Sequence, residues 1–173
     1  MPAPAIDTLI APDALQARIR ALAAEIRRDS PDTSLHFICV LKGAFLFLAD
    51  LVRAIDGPVT VDFMALSSYA GTSSTGEVRL IKDLDYGLEG RDVIIVEDIV
   101  DTGLTLHYLQ DILRARGPRR LRTACLLSKP SRRKIEVEVD YIGFAIDDHF
   151  VVGYGLDHDE QYRNLPFIGL LRG

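Results

Sequence analysis

The sequence predicts an α/β fold: a mostly parallel, twisted sheet flanked by helices, with a small C-terminal lobe. Three observations predict it. The runs "LHFICVL" (35–41), "DVIIV" (92–96) and "LRTACLLS" (121–128) are apolar without polar alternation, which suits strands covered on both faces. Between several of them the apolar residues recur every three or four positions, as on a helix. Strands and helices then alternate along the chain, the order of a doubly wound sheet.

Taken in order, residues 12–28 carry Leu15, Ile19, Leu22, Ala23 and Ile26 at helical spacing, with Pro12 at the expected start. A strand over 35–41 leads into a helix over 43–55 and a second strand over 59–66. "EVRLIKDL" (77–84) alternates and reads as an exposed edge strand. After the strand 92–96, helical spacing begins at Leu104 (Tyr108, Leu109, Ile112, Leu113) and stops at Gly117-Pro118. "VDYIGFAI" and "FVVGYGLD", separated by Asp147-Asp148, are short strand-like pieces with no following helix, placed over the sheet's carboxyl edge.

The 173 residues read as one domain, 1–173, with 48% hydrophobic and 26% charged residues, ordinary for a globular protein. A net charge of -5 argues against a nucleic-acid partner. Cys39 and Cys125 lie far apart in apolar runs and read as buried thiols, not a disulfide framework or a zinc site. The start lacks a secretory pattern, and the most apolar segment, 35–52, is interrupted by His36, Lys42 and Asp50. A membrane span needs about 20 apolar residues, so the expectation is no membrane and a cytoplasmic location.

Function concentrates in "DVIIVEDIVDTGLTLHYLQDIL" (92–113). Glu97 and Asp98 are expected where the strand emerges at its carboxyl end, and Asp101, Thr102 and Gly103 follow before the helix. The first N–H groups of a helix have no internal partner, and the macrodipole favours an anion there. Thr102, Gly103 and Thr105 therefore suit a phosphate group, while acids beside a phosphate must face sugar hydroxyls or a divalent cation. Simple capping with solvated acids is the plainer reading for such a turn, and the ordered combination of residues argues against it. "GTSSTGEV" (71–78) has P-loop glycine spacing but lacks the required Lys, and "GYGLDH" (153–158) lacks the third Gly of a dinucleotide fingerprint.

"VIIVEDIVDTGLTL" resembles the phosphoribosyl-pyrophosphate (PRPP) signature of type I phosphoribosyltransferases, in the form found in their 6-oxopurine branch. Further landmarks fall in order: "VLKGAF", "SSYAGTSSTGEV", "LLSKPSRR" and "DHFVVGYGLDHDEQYRNLP". The resemblance implies a Mg2+-dependent purine-salvage transferase acting on PRPP and a 6-oxopurine base, forming a homodimer or homotetramer. It implies that Glu97 and Asp98 contact the ribose hydroxyls, that Asp101 is the general base, and that Thr102, Gly103, Leu104 and Thr105 hold the 5′-phosphate. As a base, Asp101 would need burial or hydrogen bonding to adjust its pKa. Leu41, Lys42, Gly43 and Arg163 would meet pyrophosphate; in the family the peptide matching Leu41-Lys42 can be cis. Lys129, Phe150, Val151 and Asp157 would form the purine side, with Asp157, Glu97 and Asp98 as candidate magnesium ligands. By period alone, Phe150 reads equally well as a core residue. Ser68 and Tyr69 match the pair in the family's mobile loop, and residues 129–173, with the N-terminal segment, match its purine-binding hood.

Overall fold

Strands buried on both faces need helices on both, and the chain supplies them. The computed structural model describes residues 4–68 and 78–172. Helices α1 (Pro12–Asp29) and α2 (Phe45–Ala54) lie together on one face of a six-stranded sheet, and α3 (Leu104–Arg114) covers the other. The sheet contains β2 (Leu35–Leu41), β3 (Val59–Ser68), β4 (Val78–Lys82), β5 (Asp92–Val100), β6 (Arg120–Ser128) and β7 (Tyr141–Ala145). Their order is β4-β3-β2-β5-β6-β7, all parallel except β4, an antiparallel edge as its alternation predicts.

Central β5 shows why alternation is missing. Ile94 and Val96 join the α1–α2 core with Leu22, Phe37 and Phe47, whereas Val93 and Ile95 join the α3 core with Met64, Leu109 and Leu113. Burying a side chain of this size stabilises by about 1.5–3 kcal/mol, so neither face tolerates a polar residue before the strand's exit. α1 runs one residue past the expected 28, and α2 starts at Phe45 instead of 43.

A second sheet caps the first. It joins β1 (Ile6–Ile10), β9 (Ile168–Leu171) and the two-residue β8 (Val151–Val152) in the order β1-β9-β8, antiparallel throughout. Neither β1 nor β9 is foreseen in the sequence pattern. β7 extends the main sheet beside β6, so that part of residues 129–173 lies in the main sheet. "FVVGYGLD" forms a strand only over Val151–Val152: after Val152 the chain turns, with Gly153 and Gly155 at φ 97° and 96°.

Candidate active site

The site opens where β5 parts from β2. Their pairing ends at Val96↔Cys39, while β5 stays paired with β6 as far as Val100↔Ser128. The strand therefore does not end at Val96 as expected; it continues four residues with one neighbour removed. The gap is a cavity of ≈ 220 Å³, bordered by Val40 and Leu66 on one side and by Glu97, Asp98, Asp101, Thr102, Gly103 and Thr105 on the other. Adjacent strand residues face opposite sides, and it is the parting of the strands that lets both acids border one space.

Glu97 is buried, and loss of water together with the Asp98 charge raises its pKa well above the ordinary carboxylate range. Burial likewise pushes Asp98 up to about 6, opposed by the Ile99 N–H, which its Oδ1 accepts at 2.6 Å, and by Arg163. The two thiols nearby are inert: burial first, then Glu97, pushes Cys39 and Cys125 up to about 12. Gly43 lies against this pair so closely that a Cβ there would collide with the Asp98 carboxylate.

Past Val100 the chain makes an anion cradle. Gly103, at φ 88°, starts α3 in a left-handed conformation and has no side chain to cap it. Of the first-turn N–H groups, that of Leu104 donates a long 3.4 Å hydrogen bond to Thr102 Oγ1. Residues 128–135 brace the cradle from behind. Arg133 donates to the Val100 carbonyl (3.0 Å), the Asp101 carbonyl (2.6 Å) and the Ser128 hydroxyl (2.8 Å). The Lys134 N–H donates to the Thr102 carbonyl at 2.9 Å. Leu104 and Thr105 are exposed on the first turn of α3.

Charges around the cradle fall into two clusters. In the first, Asp101, 41% exposed, accepts a hydrogen bond from Arg132 Nε at 3.1 Å. Arg132 also approaches Asp148 (3.7 Å), and Asp148 pairs with Lys129 (3.6 Å), which is buried at the end of β6. Lys129 thus reaches Asp101 only through two intermediaries. In the second cluster, Lys42 Nζ donates to Glu160 Oε2 at 3.0 Å, and Arg163 contacts Glu160 Oε1 (3.2 Å), Asp157 Oδ1 (3.3 Å) and the Gly155 carbonyl (2.7 Å). The peptide Leu41-Lys42 is cis. Gly155, whose added Cβ would strike the Gly43 carbonyl, brings this C-terminal loop onto the β2–α2 loop.

Phe150 is 56% exposed and meets His158 edge-on at 5.4 Å between ring centres, so it is not a core residue. Val151 beside it is buried in β8. Ser68 is the last residue of β3, and Tyr69 lies outside the described residues. Arg132, Arg133, Asp148 and Glu160 were not anticipated. The basic run 129–134 reads as solvated in sequence, and only its position after a buried strand hints that it turns inward.

The comparisons decide the family. Residues 7–159 match the family model of the phosphoribosyl transferase domain. The chain belongs to the phosphoribosyltransferase family. This phosphoribosyltransferase is 49% identical over 165 residues to the hypoxanthine-guanine phosphoribosyltransferase of Bacillus subtilis (strain 168), covering 95% of this chain and 92% of that one. It is 51% identical over 170 residues to the protein of the same name from Mycobacterium bovis, covering 94% and 84%. Among solved structures, the hypoxanthine phosphoribosyltransferase of Trypanosoma cruzi in complex with the product IMP superposes with a TM-score of 0.91 at 40% identity, covering 98% of this chain and 95% of that one. A hypoxanthine-guanine phosphoribosyltransferase from Bacillus anthracis superposes with a TM-score of 0.92 at 48% identity, covering 96% and 98%.

As for a metal, among the described residues no group of three or more His, Cys, Asp or Glu side chains could hold one. Glu97, Asp98 and Asp157 therefore form no cage by themselves. The donor set fits a magnesium ion that keeps its waters and arrives on phosphate oxygens, needing one or two carboxylates from the protein.

Proposed function

We propose that this enzyme transfers the 5-phosphoribosyl group of PRPP to N9 of hypoxanthine, and of guanine, giving IMP or GMP and pyrophosphate in purine salvage. The observation that carries this reading is the cavity itself: an uncapped helix start directly beside two buried acids, the complement of a phosphate ester on a sugar. The names of the relatives, and the product IMP in one of them, support the same chemistry.

In this reading the first turn of α3 and Thr102, Gly103, Leu104 and Thr105 grip the 5′-phosphate, and Glu97 and Asp98 accept hydrogen bonds from the ribose hydroxyls. The N9 lone pair of the base forms a bond to C1′ as the C1′–O bond to pyrophosphate breaks. Asp101 takes the proton displaced from N7, which a general base assists by about 10²–10⁴-fold. Lys42, Gly43 with the Leu41 peptide, and Arg163 receive the departing pyrophosphate. A bound Mg2+, held partly by Asp157 or the Glu97–Asp98 pair, supplies charge neutralisation for that leaving group. The Lys129 ammonium, an obligate donor, faces the purine O6 and disfavours adenine, which offers N–H groups there. Phe150 stacks on the base and Val151 offers its backbone to the base edge.

Ser68 and Tyr69 are assigned to a loop that closes over the reacting centre, and the β1-β9-β8 sheet to the hood over the purine. Cytoplasmic residence and assembly as a homodimer or homotetramer belong to the same reading. Buried free thiols agree with the first, and exposed apolar residues such as Phe45 and Ile81 with the second. Among the described residues no helix is long and apolar enough to cross a membrane.

Incubation with PRPP, magnesium and single bases tests the proposal. Nucleotide should form with hypoxanthine and guanine and not with adenine. Product with adenine or uracil alone would remove the Lys129 assignment and the reading with it.

A further inference from the structure

The two cations assigned to pyrophosphate already share one anion. Glu160 places Oε2 at 3.0 Å from Lys42 Nζ and Oε1 at 3.2 Å from Arg163 Nη2, so a single carboxylate spans both. Lys42 and Glu160 are 118 residues apart in the chain, so the contact belongs to the tertiary fold. The turn that carries Glu160 is built to aim it. His158 and Gln161 bridge across it, and Asp159, Glu160 and Tyr162 all take positive φ (50°, 62° and 74°). Asp157 fixes its backbone by accepting the Glu160 N–H at 2.9 Å.

Two oxygens of one group, each on a different cation, reproduce what a diphosphate would offer to the same pair. A diphosphate and the Glu160 carboxylate carry like charge and would repel each other there, so the two compete for the same cations. The Glu160 side chain is 64% exposed, so it can rotate into water without losing buried contacts.

We propose that Glu160 is a positioning residue that holds Lys42 and Arg163 apart and oriented in the empty site, competes with pyrophosphate for them, and so hastens its departure. This rests on the reading that Lys42 and Arg163 form the pyrophosphate subsite.

The test is calorimetric titration of inorganic pyrophosphate with magnesium into the wild-type protein and into Glu160→Gln and Lys42→Met, with product-inhibition kinetics alongside. One exposed ion pair, with Lys42, and one to the largely buried Arg163 are removed from the empty site, so Glu160→Gln should bind pyrophosphate tighter by about threefold to thirtyfold. Its inhibition constant should fall by the same factor while KM for hypoxanthine stays put. A merely structural role would loosen binding instead. Equal or weaker binding by Glu160→Gln, with Lys42→Met weakened, overturns the competition and leaves the subsite standing. Unchanged binding by Lys42→Met removes Lys42 from the subsite, and this inference falls with it.

Discussion

At the scale of single residues, the carboxylates proposed to carry the chemistry stand in unlike surroundings. Glu97 and Asp98 are buried side by side, and burial raises both, Asp98 to about 6. Asp101, four residues after Glu97, is half exposed and partnered by Arg132. A raised carboxyl favours the folded state while it is protonated. That contribution is complete below the ordinary carboxylate range, near pH 4, and is lost as pH rises through about 6. In the proposed reading, ribose hydroxyls would donate to the ionised acids and relieve the same strain of charge. The melting temperature of the free protein should therefore fall between pH 5 and 7.5, and the rise produced by PRPP with magnesium should grow over that interval. An equal ligand-induced rise at both pH values would place the ribose elsewhere. Asp101→Asn keeps the shape and removes the proposed base: kcat should drop by about 10²–10⁴-fold with little change in KM for PRPP. Steady-state kinetics with hypoxanthine separate the two parameters, and a raised KM alone would make Asp101 a binding group. These acids are legible in the sequence because strand, acid pair, turn and helix are contiguous. Their protonation is not, because it depends on burial by Cys39, Gly43 and Cys125, which come from other strands and loops.

At the scale of elements, the β5–α3 loop is held by a segment the sequence gives no reason to connect to it. Arg133 ties the carbonyls of Val100 and Asp101 to the Ser128 hydroxyl across 32 residues and more. Arg133→Met removes those donors; the Val100 carbonyl keeps the Lys129 N–H at 2.9 Å, but the partly buried Asp101 carbonyl loses its partner, a loss of about 1–3 kcal/mol. The expected result is a lower melting temperature and a higher KM for PRPP, since the loop proposed to hold the 5′-phosphate loses its brace. Thermal melts and initial-rate kinetics check both, and an unchanged KM would limit Arg133 to stability. β2, β5 and β6 were readable from their unbroken apolar runs. β1 and β9 were not, because each is short and their pairing joins residue 6 to residue 171, leaving no local period to read. The exit of β5 was misplaced for a related reason. Apolar residues stop at Val96, but hydrogen bonding to β6 continues to Val100.

At the scale of the whole molecule, the site is assembled from three loops far apart in the chain: 41–44, 97–105 and 153–163. Gly43 lets the first approach Asp98, and Gly155 lets the third rest on Gly43. A ligand touching all three binds only the folded chain, so it must stabilise it. PRPP with magnesium at about 100 times its Kd should add about 2.7 kcal/mol, read as a rise in melting temperature. Adenine at the same concentration should give no such rise. What the sequence by itself determined was the α/β class and the order of most of its strands and helices, since apolar period and local turn chemistry act over a few residues. It also determined the strand, acid pair, turn and helix start proposed to hold the phosphate, because those parts are contiguous. Only the tertiary structure decided which charges neutralise each other — Lys42 with Glu160, Lys129 with Asp148, Asp101 with Arg132 — because a side chain's partner is set by the path of the backbone between them.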